Sequence, residues 1–369
     1  MSKKIIYIMG NSRSGSTFLD LLLGSHPDAL SIGELFKLAK SGWQNNELCS
    51  CGSHLQQCSF WSTVSERWKE LSGLDESQYM ALKDQFYRSW YLLKPSEFSK
   101  KKDFQTFIKA KQSFYQAIFE ISGKNIIVDS SKNPIDAYFA TLVPDTEVTL
   151  LHLVRDSRGV VWSMSKSFEQ NLKKGVQREI KATPVQQTIK SWLVSNLFCS
   201  YLGQAYPQSY IRVLYEDFMT NPEQTLNRLS KKTNIDFTTC LADLEQGIEP
   251  GQRHVLAGNR LRMDSKVSLS PDFAWKEGLA GQQKAVISLL TLPLLVHYGL
   301  LRREPRAKRQ PVQKGKLNLP TFSTNRSLAN HEGSVSVSHL EIAQNPIFEF
   351  QDAGSAQTRS QKTDESKLN

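Results

Sequence analysis

Ile5-Ile6-Tyr7-Ile8-Met9-Gly10-Asn11-Ser12-Arg13-Ser14-Gly15-Ser16-Thr17 is the stretch that decides the fold. Five apolar residues run without a polar break, as in a strand buried on both faces. A polar turn bounded by Gly10 and Gly15 follows, and Ser16-Thr17-Phe18-Leu19 opens a helix over Ser16–Gly24. Glycines let the backbone curl so that several N–H groups aim at one anion, and the helix N-terminus adds its partial positive charge. The loop is therefore suited to a phosphate. Its plainer reading is a Ser/Gly turn that caps a helix and leaves Arg13 in solvent.

Outward from this unit, strand and helix signals alternate. Strands are expected over Asn125–Asp129, Thr146–Val154 and Tyr210–Leu214. Helices are expected over Pro134–Leu142, Ser157–Ser167, Pro184–Leu202 and Pro222–Lys231. Such alternation predicts an α/β fold, a P-loop-like central parallel sheet flanked by helices. A helical insertion is expected at about 41–120, after the first βα unit. In these sheets ligands bind beyond the C-terminal strand ends, and the polar motifs fall at those ends.

The loop matches G-x-x-x-x-G-K-[ST] at Gly10, Gly15 and Thr17, but Ser16 stands at the lysine position. That lysine reaches the β- and γ-phosphates of a triphosphate. Here the nearest cation is Arg13, so the loop suits a 5′-phosphate better than a triphosphate. A second anion-binding pattern closes the Thr146–Val154 strand. Arg155 offers a planar fork for phosphate, and Ser163 lies eight residues on, about two helical turns away. By itself this could equally be a surface Arg–Asp pair formed by Arg155 and Asp156.

The bulk composition sets wider limits. The chain has 369 residues, 39% hydrophobic and 22% charged, enough for a sizeable core. A net charge of +10 suits a polyanionic ligand. The apolar run at the start is too short for a signal peptide, and the longest apolar stretch, near Ile287–Leu301, is too short to span a bilayer. A soluble, cytoplasmic protein is expected. Cys49, Cys51 and Cys58 cluster, and His54 would complete a zinc set. Cys-x-Cys is tighter than the usual Cys-x₂-Cys hairpin, which favours a redox-sensitive or structural cluster, and no metal is assigned. Cys199 and Cys240 read as structural. The segment 303–369 is polar and lacks apolar periodicity, so a disordered tail is expected.

Arg13-Ser14-Gly15-Ser16-Thr17-Phe18-Leu19, followed by His26-Pro27-Asp28, resembles the 5′-phosphosulfate loop of sulfotransferases that use 3′-phosphoadenosine 5′-phosphosulfate (PAPS). The arginine form is similar to the carbohydrate and tyrosylprotein branches. Arg155 and Ser163 resemble the 3′-phosphate motif of the same family. Two phosphate sites suit PAPS, whereas a triphosphate does not need the second. Tyr215-Glu216-Asp217 looks like the segment whose tyrosine lies near adenine. Gly258-Asn259-Arg260-Leu261-Arg262 looks like a late loop closing over the nucleotide, with Arg260 and Arg262 as further candidates for the 3′-phosphate. Trp275 also falls where such chains often carry a Trp.

The resemblance covers about residues 4–302 and implies a sulfotransferase domain over 1–302. It implies PAPS as sulfuryl donor, with no metal required, and a hydroxyl or amine acceptor. Arg13 meets the leaving phosphate, and Lys132 resembles a catalytic Lys-x-Pro lysine. Glu34, 21 residues after Arg13 on a presumed strand, is similar in placement to the family's glutamate base. A glutamate base working near neutral pH needs its pKa raised by burial. His152 and His26 read as structural.

Two other classes remain open. A P-loop kinase or NTPase would use Asp129 to hold Mg²⁺. A non-catalytic polyanion binder would use the net charge, although no basic stripe interleaved with aromatics points to nucleic acid. Sugar, lipid, peptide and small alcohol all stay open as acceptor, and oligomeric state is unread. Trp43, Trp61, Trp68, Tyr79, Phe86, Tyr87, Trp90 and Tyr91 crowd the insertion. They read first as a helical core and second as part of an acceptor pocket.

Overall fold

The computed structural model describes residues 2–87, 101–172, 175–249 and 253–301. The strands β1 (Lys3–Gly10), β2 (Ala29–Gly33), β3 (Ile126–Lys132), β4 (Thr146–Val154) and β5 (Tyr210–Leu214) form one sheet in the order β2-β3-β1-β4-β5. Every neighbouring pair is parallel. The strand β1 is central and both its faces are covered, which is why it reads as an unbroken apolar run. Ile5, Tyr7 and Met9 enter one core, and Ile6 and Ile8 enter another on the opposite face.

The first face is covered largely by the insertion between β2 and β3. Its helices α2 (Ser59–Ser72), α3 (Glu76–Phe86) and α4 (Lys102–Ser122) pack around stacked aromatics. Trp68 lies parallel to Phe114 with ring centroids 4.6 Å apart, and Tyr79 meets both edge-on. Trp61, Trp68, Tyr79 and Phe86 are buried, so these rings build core. Trp90 and Tyr91 lie outside the described residues, as does the segment 303–369.

The second face is covered by α1 (Ser16–Leu23) and, after β5, by α8 (Tyr215–Thr220) and α9 (Pro222–Thr233). Local chemistry starts the helices that follow strand ends. Asn133 caps α5 (Pro134–Ala140), and Asn221 caps α9; each is followed by a proline at the first helical position. Asp156 caps α6 (Ser157–Met164) through Arg158 N–H. That helix stops short of Ser167, and Phe168 instead pairs with Ile180 in an isolated bridge. The remaining helices are α7 (Val185–Ala205), α10 (Leu241–Gln246), α11 (Trp275–Gly278) and α12 (Gly281–His297). Among the described residues no helix is long and apolar enough to cross a membrane.

The chain passes from β3 to β4 across β1, so the order reverses beside the loop that leaves β1. That crevice is the ligand position expected of an open parallel sheet.

Candidate active site

Gly10 closes β1 against β4, where a Cβ would stand 2.4 Å from the Leu153 carbonyl oxygen. The loop that follows is bent by Arg13 at φ 65° and Gly15 at φ 89°. Gly15 is needed twice over: its φ favours glycine, and a Cβ there would meet the Tyr215 ring at 2.8 Å. No side chain caps α1, whose first N–H groups face the loop. Ser14 Oγ is buried and has no partner among the described residues. A buried hydroxyl without a partner costs about 1–3 kcal/mol, and an anion seated in the loop would remove that cost. Ser16, Thr17 and Phe18 are buried, with Thr17 Oγ1 accepting from Asn259 N–H at 3.2 Å.

Arg155 leaves the end of β4 and reaches the same loop. Its Nη1 donates to the Arg13 carbonyl at 2.9 Å, and its guanidinium lies 4.3 Å from the Tyr215 ring centroid. Its carboxylate partner is Asp272, at 3.0 Å, while Asp156 pairs with Arg158 instead. The adjacent Arg155–Asp156 pair that the sequence allows does not form. Tyr215 begins α8, and its hydroxyl accepts from Asp272 N–H at 2.9 Å. Ser163 is half-buried on α6.

Arg260 and Arg13 approach one aromatic ring, Phe168, with guanidinium-to-centroid distances of 5.4 and 5.9 Å. Burial, with the positive charges of Arg260 and Arg155 nearby, lowers the Arg13 pKa. Three arginines thus converge at the crevice. Arg262 does not join them. It is buried, and its Nη1 donates to the carbonyls of Leu48 and Val255 at 3.0 and 3.4 Å.

Glu34 is the first residue beyond β2, and Lys132 ends β3. Lys132 Nζ donates to Glu34 Oε1, and Lys37 Nζ lies 2.9 Å from Oε2. Burial of Glu34 alone would raise its pKa, but the two ammonium groups win and hold it at about 2. This reverses the expectation of a raised pKa, because burial came with two cations. Lys132 sits at φ 67° and its own pKa is lowered by burial, against the opposing pull of Glu34. Gly258, at φ 96°, covers the pair; a Cβ there would be 3.4 Å from both Glu34 Oε1 and Thr17 Oγ1.

The segment carrying Gly258 and Arg260 is tied to the end of β2 by an isolated parallel bridge between Gly33 and Leu256. Glu34 N–H donates to the Leu256 carbonyl at 2.8 Å, and Leu256 N–H to the Ile32 carbonyl at 3.0 Å. His152, buried in β4, bonds Tyr210 and Asn196, and burial lowers its pKa to about 3. It is a neutral structural histidine.

A profile of the sulfotransferase family matches residues 6–239. The chain belongs to the sulfotransferase family. Sulfuryl transfer is therefore the general activity of this enzyme, and the loop, Arg155, Glu34 and Lys132 all lie in the matched span. Solved structures similar to this sulfotransferase include the sulfotransferase domain of the Synechococcus PCC 7002 olefin synthase. It shares 21% identity, covers 81% of this chain and 96% of its own, and has a TM-score of 0.44. The sulfotransferase domain from the curacin biosynthetic pathway shares 19%, covers 79% and 97%, and has a TM-score of 0.45. A sulfotransferase from Mycobacterium avium shares 12%, covers 80% and 77%, and has a TM-score of 0.41. No curated protein matches the sequence.

Sequence reasoning missed four participants. Lys37 is three residues from Glu34, a helix-like spacing that signals pairing. Asp272 and Phe168 carry no local signal. His254 is the fourth: its Nδ1 lies 3.2 Å from Cys58 Sγ and 4.0 Å from Cys49 Sγ. His54, the sequence-based partner of the cysteines, instead contacts the Asn46 carbonyl at 2.6 Å.

Proposed function

We propose that this sulfotransferase takes its sulfuryl group from PAPS and passes it in line to an acceptor hydroxyl or amine, with Glu34 as base. The observation that carries the reading is the convergence of Arg13, Arg155 and Arg260 around a loop whose buried Ser14 hydroxyl lacks a partner. A donor phosphorylated at two separate positions uses this spread of cations, whereas a triphosphate would want a lysine at position 16.

In this reading the loop from Gly10 to Gly15 and the first turn of α1, Ser16 to Phe18, hold the 5′-phosphosulfate, with Arg13. Arg155, Ser163 and Arg260 hold the 3′-phosphate, and Tyr215 lies beside adenine. Arg262 is left out because its guanidinium serves backbone carbonyls. Arg155 must trade Asp272 for phosphate, an exchange of one charge-assisted partner for another.

The donor supplies a sulfuryl group on a phosphate leaving group. Arg13 and Lys132 supply positive charge where the leaving oxygen gains negative charge, and this needs no rearrangement of solvent. Glu34 accepts the acceptor's proton. In the free protein its basicity is suppressed by Lys132 and Lys37. An anion beside Lys132 competes for that ammonium, and every bond Lys132 gives up makes Glu34 a better base. Proton acceptance is thereby tied to the donor's arrival.

The kinase reading is disfavoured by Asp129. Its Oδ2 accepts from the Tyr115 hydroxyl at 2.9 Å and its Oδ1 from Ser131 N–H and Oγ at 2.8 and 2.5 Å. Both oxygens are engaged internally.

The test is transfer from radiosulfate-labelled PAPS to a panel of sugars, lipids, peptides and small alcohols. Wild type is expected to label at least one class. Glu34→Gln is expected to lower the rate by ~10²–10⁴-fold, the usual worth of a positioned base. Label moving from the γ-phosphate of ATP in place of the sulfuryl group would sink the reading.

A further inference from the structure

We propose that Cys49, Cys51, Cys58 and His254 bind one zinc ion that pins the helical insertion to the segment carrying Gly258 and Arg260. The four ligand atoms lie within 4.8 Å of one another. Tetrahedral zinc, with Zn–S about 2.3 Å and Zn–N about 2.0–2.1 Å, requires S···S edges of about 3.8 Å and S···N edges of about 3.6 Å. The observed Cys51–Cys58 separation is 3.7 Å, and the two Cys-to-His254 separations of 3.2 and 4.0 Å bracket the second value. All five cysteines are free thiols, and 3.7 Å is far beyond a disulfide's ~2.05 Å.

The surroundings are built around the cluster. Cys49 and Cys51 lie on a tight turn in which Gly52 N–H donates to the Cys49 carbonyl at 3.0 Å. Cys58 caps α2. Phe60 stacks on the His254 ring at 5.2 Å, and Trp61 Nε1 donates to the His254 carbonyl at 2.7 Å, which fixes the histidine. Three thiolates and one imidazole around Zn²⁺ leave a net charge of −1. The buried Arg262 guanidinium sits beside the cluster, donating to the carbonyls of Leu48 and Val255, the residues next to Cys49 and His254, and its Nε has no partner among the described residues. A negatively charged centre accounts for an otherwise costly buried cation. Binding would convert the thiols to thiolates and release their protons to solvent.

Cys49, Cys51 and Cys58 come from the start of the insertion, and His254 lies four residues before Gly258. Holding them together sets the position of Leu256 against Ile32 and Glu34, and of Arg260 over Phe168. The ligand set is closed, so the role is structural.

The experiment is elemental analysis of the full-length protein purified from zinc-supplemented cells, with cobalt titration of the chelator-stripped protein. About one zinc per chain is expected, together with the visible absorption of tetrahedral thiolate-bound cobalt. His254→Ala and Cys51→Ser should lose zinc, and His54→Ala should keep it. Should those variants fail to fold, the wild-type zinc content and cobalt spectrum still decide. Absence of zinc without cobalt bands overturns the proposal, as does a Cys51–Cys58 disulfide in the native protein or zinc that depends on His54. The donor reading stands or falls separately, because nothing in this proposal uses it.

Discussion

Lys132 Nζ donates to Glu34 Oε1, joining the last residue of β3 to the first residue past β2 near the loop that follows β1. Neither strand end alone would hold its charge in a buried position. Each makes the other tolerable, and Lys37 adds a second cation on Glu34 Oε2. Breaking one partner of such a pair costs about 3–5 kcal/mol. Lys132→Ala should therefore lower activity and also reduce stability less than Glu34→Ala, because Glu34 keeps the Lys37 ammonium whereas Lys132 would keep only the Ser130 carbonyl and the field of Asp20. Thermal melts of both variants check the order.

Glu34→Gln separates chemistry from binding. The amide keeps an oxygen to accept from Lys132 but cannot take a proton. The expected result is a fall in kcat of ~10²–10⁴-fold, with the affinity for adenosine 3′,5′-bisphosphate unchanged to within a few-fold. A matching loss of affinity would make Glu34 a binding residue.

Stability should depend on pH through two carboxyl groups of opposite sign. Glu34 is held at about 2, so its contribution is complete above the ordinary carboxylate range and is lost as pH falls toward 2. Glu216 is raised to about 7 by burial, which outweighs the hydrogen bond it accepts from Asp156 N–H. Its contribution is present below the ordinary range and is lost as pH rises through 7. Glu216→Gln should thus gain stability relative to wild type between pH 5 and 8, by about 1–3 kcal/mol at the alkaline end. Melting curves across that interval check the crossing.

Gly15→Ala should be among the most damaging single-methyl changes. Its Cβ meets the Tyr215 ring at 2.8 Å, and the backbone sits at φ 89°. Gly73→Ala shares a positive φ, 72°, but meets nothing within 4 Å. The control should lose about 1 kcal/mol from backbone strain alone, and Gly15→Ala about 1–3 kcal/mol more from the clash. Denaturant melts measure the difference, and nucleotide binding should fail only in Gly15→Ala.

Much of this was legible because the deciding signals are local. β1 is a run of apolar residues ending at a glycine, Pro134 and Pro222 each follow a capping asparagine, and β4 and β5 end at the residues the sequence marks. Arg13, Glu34, Lys132, Arg155, Tyr215 and Arg260 all lie at or just past strand ends or in the late loop, so a parallel sheet gathers them. What stayed hidden depends on distant pairing. Asp272 finds Arg155 across 117 residues, and His254 finds Cys58 across 196. His54 was the nearer partner in sequence, yet the turn directs it to Asn46. The pKa of Glu34 could not be read for the same reason, since burial is visible in its apolar neighbours but Lys132 arrives from another strand.

Asp272→Asn tests how Arg155 is kept. The carboxylate holds the guanidinium at 3.0 Å, and Arg155 draws the Asp272 pKa down against the upward pull of burial. Removing the charge should free Arg155 for phosphate and tighten adenosine 3′,5′-bisphosphate binding by up to about fivefold, the worth of one partly exposed ion pair. Weaker binding would mean that Asp272 positions Arg155 instead of competing for it.

The central claim is that the crevice holds a nucleotide with two separate phosphates. Calorimetric titration with adenosine 3′,5′-bisphosphate in the absence of magnesium tests it most directly, in wild type, Arg13→Ala and Arg155→Ala. The account predicts binding by wild type, weakened by each substitution, with Arg155→Ala losing its preference for the 3′-phosphorylated nucleotide over AMP. No binding of the bisphosphate, with ATP–Mg²⁺ bound in its place, would contradict it.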